Sequence, residues 1–365
     1  MNWHRFHRLG IAVAAVLIVA ACGSSSTAGS TDWSKQTSAS AGGGMDALVA
    51  AAKAEGKLTV IALPPDWANY GQIISSFEAK YNIKVTSLNP SGSSQAEIDA
   101  FDGTSRAPDV VDVTQAVAVK NTNLFAPYQV ATWGDIPAGG KEATGLWFND
   151  YGGYMGIGYN PAKVPHINSF DDLLGPGFKS TVALSGDPTI SGQGLNGVIM
   201  AAVAEGGSLD DVSKGVDFFH RLRQAGNYVK VIATASTIKS GQTSVVFEWD
   251  YLSTSHGKDI PNWTIFVPSN AVVGGYYNQA INKAAPHPAA ARLWEEYLFS
   301  NAGQNLWLKG GARPVRQSAM TAAGTVDATA AAALPAVAGA PQIPTADQST
   351  AAFAYLNAHW SAAIA

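Results

Sequence analysis

The residues best suited to chemistry in this chain are few and scattered. Beyond the N-terminal head, His166, His220, His256, His287 and His359 lie far apart, without the spacing of a metal site. No HExxH run, Walker A loop or G-x-S-x-G elbow occurs. Ser236-Thr-Ile-Lys239 and Ser255-His-Gly-Lys258 fit S-x-x-K but lack companion S-D-N and K-T-G sequences, so both are read as chance. With no nucleophile–base motif, the expected protein is not an enzyme and needs no cofactor. The sequence offers a helix start instead. DPTISGQG at 187–194 precedes an apolar stretch. Ser191 is a plausible N-cap there, and the N–H groups from Gly192 onward would be free to face an anion. A plain capped helix would carry the same residues. Lys120, Arg313 and Arg316 are candidate helpers, each expected as solvated surface.

Cys22 is the one cysteine of the chain. Before it stand a short head with Arg5 and Arg8 and an apolar run over 9–21. Charged head, short apolar run and small residues before a cut are the layout of a secretory signal. The run is too short for a confident membrane span. Val19-Ala20-Ala21-Cys22 resembles a bacterial lipobox, in which the cysteine is acylated, with palmitate for example, and becomes the new N-terminus. Residues 1–21 are therefore read as a lipoprotein signal peptide and 22–44, rich in Ser, Gly and Ala, as a flexible tether. The mature protein is expected outside the cytoplasm, held to the cell membrane only by lipidated Cys22.

Cutting before Cys22 removes Arg5 and Arg8 and no acid. The 23 Lys+Arg become 21 against 27 Asp+Glu, a net charge of about −6. That argues against nucleic acid and against a basic membrane-binding face. No cysteine remains for a disulfide, so an extracellular fold must rest on its core. Ten Trp, twelve Tyr and thirteen Phe accompany only 14% charged residues, so some rings are expected to line a site.

Hydrophobic periodicity then places the elements. Residues 45–55 read as an amphipathic helix stopped at Gly56, 57–63 as a strand running into Pro64-Pro65, and 69–81 as a helix. Strands at 83–88 and 108–113, a short helix at 94–101 and another at 116–124 complete a β-α-β-α-β order, which predicts a parallel sheet. A glycine-broken strand follows at 153–160. A second α/β stretch has strands at 181–184, 244–248 and 263–267 and helices at 193–204 and 209–224. Two amphipathic helices close the chain, at 288–299 and 351–365.

The order of these pieces resembles a solute-binding protein of an ABC transporter, of the subgroup that binds polyamines, iron(III), thiamine or aminophosphonates. The matching runs are KLTV at 57–60, APDVVDV at 107–113, GIGYN at 156–160 with Val164-Pro165, and SFDDL at 169–173. FKSTVA at 178–183, DPTISG at 187–192 and GARPVR at 311–316 continue the match. The resemblance implies an α/β, two-lobe periplasmic-binding-protein fold of type II-like form, its ligand cleft lying between lobes joined by crossover strands. Lobe 1 is expected from 45–151 and 276–312, lobe 2 from 152–275, with 313–365 packing on the lobes. It also implies a monomer that captures a small-molecule ligand by hinge closure and delivers it to an ABC permease in the cytoplasmic membrane.

Site residues follow from the same resemblance. Trp67 and Tyr70 stand where polyamine binders stack rings on an ammonium. Thr114 and Gln115 follow a strand end, where open α/β sheets bind ligands. Trp249 matches a polyamine-site Trp, with Asp250 beside it. Tyr276 and Asn278 occupy the aromatic and acidic positions of a W-x-D run, and Asn278 lacks the carboxylate. Ser191 and Gly192 would take an acid group. Iron binders place adjacent tyrosines where Trp249-Asp250 stand. The expected ligand is therefore a small organic amine, a polyamine or an amino-acid-like or aminophosphonate zwitterion. Ferric iron or thiamine is the alternative, and an extracytoplasmic enzyme or a binding lipoprotein without a permease is the alternative from another class.

Overall fold

A computed structural model describes residues 31–365; the signal and Cys22 lie outside the described residues. Helix α1 (Met45–Glu55) ends at Gly56, whose φ of 66° is a left-handed cap. Strands β1 (Lys57–Ile61) and β2 (Lys84–Leu88) pair in parallel around α2 (Tyr70–Tyr81). Then come α3 (Ser94–Asp99), β3 (Val110–Thr114), α4 (Gln115–Lys120), β4 (Phe125–Ala126) and β5 (Phe148–Tyr159). The middle of the chain supplies β6 (Val182–Leu184), α5 (Gly192–Ala204), α6 (Ser213–Gln224), α7 (Ala235–Ser240), β7 (Val245–Trp249), α8 (Asp250–His256) and β8 (Thr264–Phe266). Strand β9 (Gly274–Asn282) returns, followed by α9 (Pro288–Leu298), α10 (Asn301–Lys309), β10 (Arg313–Pro314), α11 (Gln317–Ala322), α12 (Ala328–Ala332) and α13 (Ala346–Ala363).

The predicted parallel sheet is only partly found. β1–β2 and β6–β7 are parallel, but the main path β3-β9-β5-β7-β6 is antiparallel along its first three pairings. The reason is β5. Twelve residues long, it pairs through its first half with β9 and through its second half with β7 and β8. One strand thus belongs to both ends of the sheet. β3, β4 and β10 attach at one end of this path and β6 to β8 at the other. Glycines let the layers close on β5: a Cβ on Gly153 would stand 2.6 Å from Asp250 Oδ1, and one on Gly152 would stand 2.3 Å from the Gly275 carbonyl.

Two expectations need correction. Helix α9 is not amphipathic in use, because every residue from Ala289 to Leu298 is buried. Its polar side docks other chain segments. Arg292 donates to the Gln36 and Ser34 carbonyls (2.8 and 3.1 Å), and Glu296 accepts from the Ala131 N–H (3.0 Å). The flexible tether, expected over 22–44, does not extend through 32–44. Trp33 is buried, and Gly42 lies so close over its ring that a Cβ there would come within 2.3 Å of Cη2. One large ring in a polar run is enough to dock the segment against α9, because burying it removes a large apolar area from water.

Trp33→Ala should therefore lower unfolding stability by about 3 kcal/mol in a denaturant titration, as for other buried Trp truncations. A loss under about 0.5 kcal/mol would mean that 32–44 contributes no packing.

Candidate ligand cleft

A narrow cleft of ≈ 40 Å³, partly open to solvent, lies where both ends of the sheet meet. Thr114, Gln115 and Ala116 form its floor on one side, at the turn from β3 into α4. Gly192, Leu195 and Asn196 face them from the first turns of α5. Trp249, at the end of β7, and 274–277 of β9 make the back wall. Ile343, Pro344, Ser349 and Phe353 close a further side. That volume is well below the usual range of small-molecule sites.

Local sequence explains the two facing turns. The Thr114 N–H is taken by Ser94 Oγ (3.1 Å), fixing the end of β3. Ser191 caps α5, its Oγ accepting from the Gly194 N–H (3.3 Å). No acid occupies the first turn of α5, so its positive dipole end is not neutralised from within. The two turns touch: a Cβ on Gly192 would lie 2.5 Å from Thr114 Cγ2.

Behind the wall is a buried ring and carboxyl network. Trp67 Nε1 donates to Tyr151 Oη (2.7 Å), and the Tyr151 and Tyr70 hydroxyls donate to Asp112 Oδ2 (3.0 and 2.8 Å). Gln279 Nε2 donates to Tyr70 Oη (3.2 Å) and to Asp150 Oδ2 (2.8 Å). Burial pushes Asp112 up to about 7, although bonds from Tyr70, Tyr151 and Asp150 pull it down. Burial, with Asp112 as a like-charged neighbour, pushes Asp150 up as well. Two buried carboxyls this close hold at least one proton between them at neutral pH.

The structure brings Thr114, Gln115, Gly192, Trp249 and Tyr276 together on the cleft wall. Ser191 is half-buried and serves as the cap behind Gly192. Trp67 stands behind the wall, edge-on to Tyr251 and Tyr277 at 6.0 and 5.9 Å. Three expected ligand contacts are committed elsewhere. Tyr70 is fully buried on Asp112. Asn278 is fully buried, donating to the Val113 carbonyl (3.2 Å). Asp250 accepts from the Tyr154 N–H (3.0 Å) and ion-pairs with Arg313. Arg313 and Arg316 are likewise not solvated surface. Arg313 also lies 4.5 Å from the Tyr154 ring centre, and Arg316 is bound to Asp135 (2.6 and 2.9 Å) and buried. Lys120 is exposed as expected. The sequence reading missed Leu195, Asn196 and the whole contribution of 343–353. The first two were readable as one helix face beyond Gly192; the last had no local signal.

A family model described as bacterial extracellular solute-binding protein matches residues 108–336. The fold is similar to that of AgtB from A. tumefaciens R10 in complex with agropinic acid (TM-score 0.66, 15% identity, 84% of this chain and 98% of that one). It is also similar to a protein assigned as a spermidine/putrescine ABC transporter from Listeria monocytogenes (0.63, 13%, 84% and 99%). The ferric binding protein from Campylobacter jejuni is a further likeness (0.60, 16%, 84% and 99%). The two-lobe periplasmic-binding-protein fold expected from the sequence is the one found.

The raised Asp112 gives a pH signature. Its folded value of about 7 exceeds its ordinary 3.8, so its stability contribution is fully present below the lower value and is lost as pH rises through the upper one. Over that window the wild type should lose stability relative to Asp112→Asn, by up to about 1.4 kcal/mol per pH unit. Parallel stability curves for the two proteins would contradict the buried proton.

Proposed function

The chain belongs to the bacterial extracellular solute-binding family, whose members bind a small ligand and work with an ABC permease, and from that premise we propose that it captures a small zwitterionic amine. The supporting observation is the chemistry of the cleft wall. It has the rings of Trp249, Tyr276 and Tyr277 on one side and the α5 start on the other. No charged side chain is present among its described lining residues. An ammonium can lie against the rings, each such contact contributing roughly 0.5–2 kcal/mol. An acid group can meet the N–H groups after Ser191. A polyamine, cationic at both ends, would need carboxylates, and the nearby Asp112 and Asp250 are bound to protein groups. Ferric iron would need phenolates, and burial pushes the hydroxyls of both Tyr276 and Tyr277 up rather than down. An aminophosphonate or an ω-amino acid matches the chemistry of both sides of the cleft.

The same reading places the protein outside the cytoplasm, anchored by an acylated Cys22 and acting as a monomer. Its lobes divide near Tyr151 and again near Tyr276. Among the described residues no helix is long and apolar enough to cross a membrane; the proposed attachment is the lipid on Cys22.

Calorimetry of the full chain against aminoethylphosphonate, γ-aminobutyrate, putrescine, spermidine, thiamine and ferric citrate is the direct test. Binding is expected for a zwitterion, and Trp249→Ala should weaken it by at least about 1 kcal/mol. Heat only from ferric citrate or from the polyamines would sink the zwitterion reading. For the anchor, Cys22→Ala should release the protein from the membrane fraction or block its processing; normal processing with full retention would refute lipidation.

A further inference from the structure

The most unexpected wall of the cleft comes from the end of the chain. Gln342 bridges onto the start of β9, its N–H donating to the Val272 carbonyl (2.8 Å) and its carbonyl accepting from the Gly274 N–H (2.9 Å). Ile343 and Pro344 therefore lie against the cleft. Thr345 then caps α13 in a reciprocal box with Gln348. Ser349 and Phe353, four residues apart on one face, point into the cleft.

The same stripe of α13, continued along the helix, is anchored to one end of the molecule. Ala352, Leu356 and Trp360 are buried at successive fourth positions. Trp360 packs on Phe219 of α6 and on Tyr228, with ring centres 5.3 and 6.1 Å apart. Gln348 donates to Asp210 (2.9 Å) and Asn357 to the Thr189 carbonyl (3.2 Å). His220 and Arg223 of α6 hold the carbonyls of Ala363 and Ala365 (2.7 and 3.0 Å). All these anchors lie between 189 and 228. α13 also packs on α4 across the cleft, yet no hydrogen bond joins the two among the described residues.

We propose that residues 342–363 form a strap that rides on the second lobe and seats against α4 when the cleft closes, with Phe353 setting the length of ligand that the cleft admits. This rests on the cleft being the ligand site. Hydrogen bonds and ring packing hold the strap to the lobe that carries α5, whereas packing without a hydrogen bond holds it to α4. Parting the lobes therefore breaks the weaker seam. Phe353, half-buried at the cleft edge, is the bulkiest strap side chain facing the ligand space.

The test has two arms on the full chain. In hydrogen exchange without added ligand, Trp360→Ala should raise exchange about tenfold in 342–363 and also in 114–120. The surface pair His220→Ala with Arg223→Ala should do the same more mildly, which covers failure of Trp360→Ala to fold. Unchanged exchange in 114–120 with a released strap would overturn the seating on α4. In the second arm, glycine, β-alanine, γ-aminobutyrate, 5-aminovalerate and 6-aminohexanoate are titrated by calorimetry. Phe353→Ala should shift preference toward the longer members by about tenfold. An unshifted preference would overturn the role of Phe353. If the wild type binds none of the series, the ω-amino-acid reading and the role of Phe353 both fail, and the exchange arm alone then decides the strap.

Discussion

Burying a carboxyl group without a cation constrains this molecule more than any other interaction. Asp112 and Asp150 sit inside it, where the strands that link its two ends run side by side. A buried carboxyl is tolerated only with donors around it. Tyr70, Tyr151 and Gln279 supply them, and Trp67 secures Tyr151 in turn. These groups are therefore unavailable to a ligand. The rings left on the cleft wall are those the network does not consume: Trp249, Tyr276 and the half-buried Tyr277. The chemistry of the cleft is a remainder, set by what the seam requires.

The same seam explains the glycines of β5 and β9. With Asp250, Tyr251 and Trp249 packed directly on these strands, a side chain at Gly153 or Gly275 would strike them. Close approach lets Asp250 reach both the Tyr154 N–H and Arg313. That buried pair ties α8 to β10, so the late chain is fastened to the middle of the fold before it turns back towards the cleft. Removing one partner of such a pair costs about 3–5 kcal/mol, because the other is left buried and uncompensated. Arg313 is thus a structural residue at a place where the sequence suggested a free cation.

From that fastening the chain continues through α11 and α12 to α13, which lies across the cleft. A cleft built from two facing turns has open sides. Here one side is covered by a helix that arrives from the far end of the sequence. The facing turns themselves meet at Thr114 and Gly192, where no room remains for a side chain on the glycine. Ring wall and α13 are parts of one geometry, because the strands that link the two ends of the sheet carry or meet both.

By itself the sequence determined the local elements and their order. Periodicity located α1, α2, β1 and α5 to within a residue or two, and Ser191 announced its own helix start, because these signals depend on neighbours three or four positions away. The order of short motifs, such as APDVVDV at 107–113 and GIGYN at 156–160, identified the fold class. Thr114, Gln115 and Gly192 were readable as cleft-wall residues from strand ends and a helix start, and Trp249 from the family resemblance. Only the tertiary structure decided how the remaining residues are used. Tyr70 and Asp112 are 42 positions apart, Asp250 and Arg313 are 63 apart, and Arg292 and Gln36 are 256 apart. Whether a ring faces a ligand or a buried acid, whether an arginine is solvated or paired, and whether Trp33 trails or docks all depend on partners from distant segments. Burial, and with it the cost of desolvating each polar group, exists only once those segments have met.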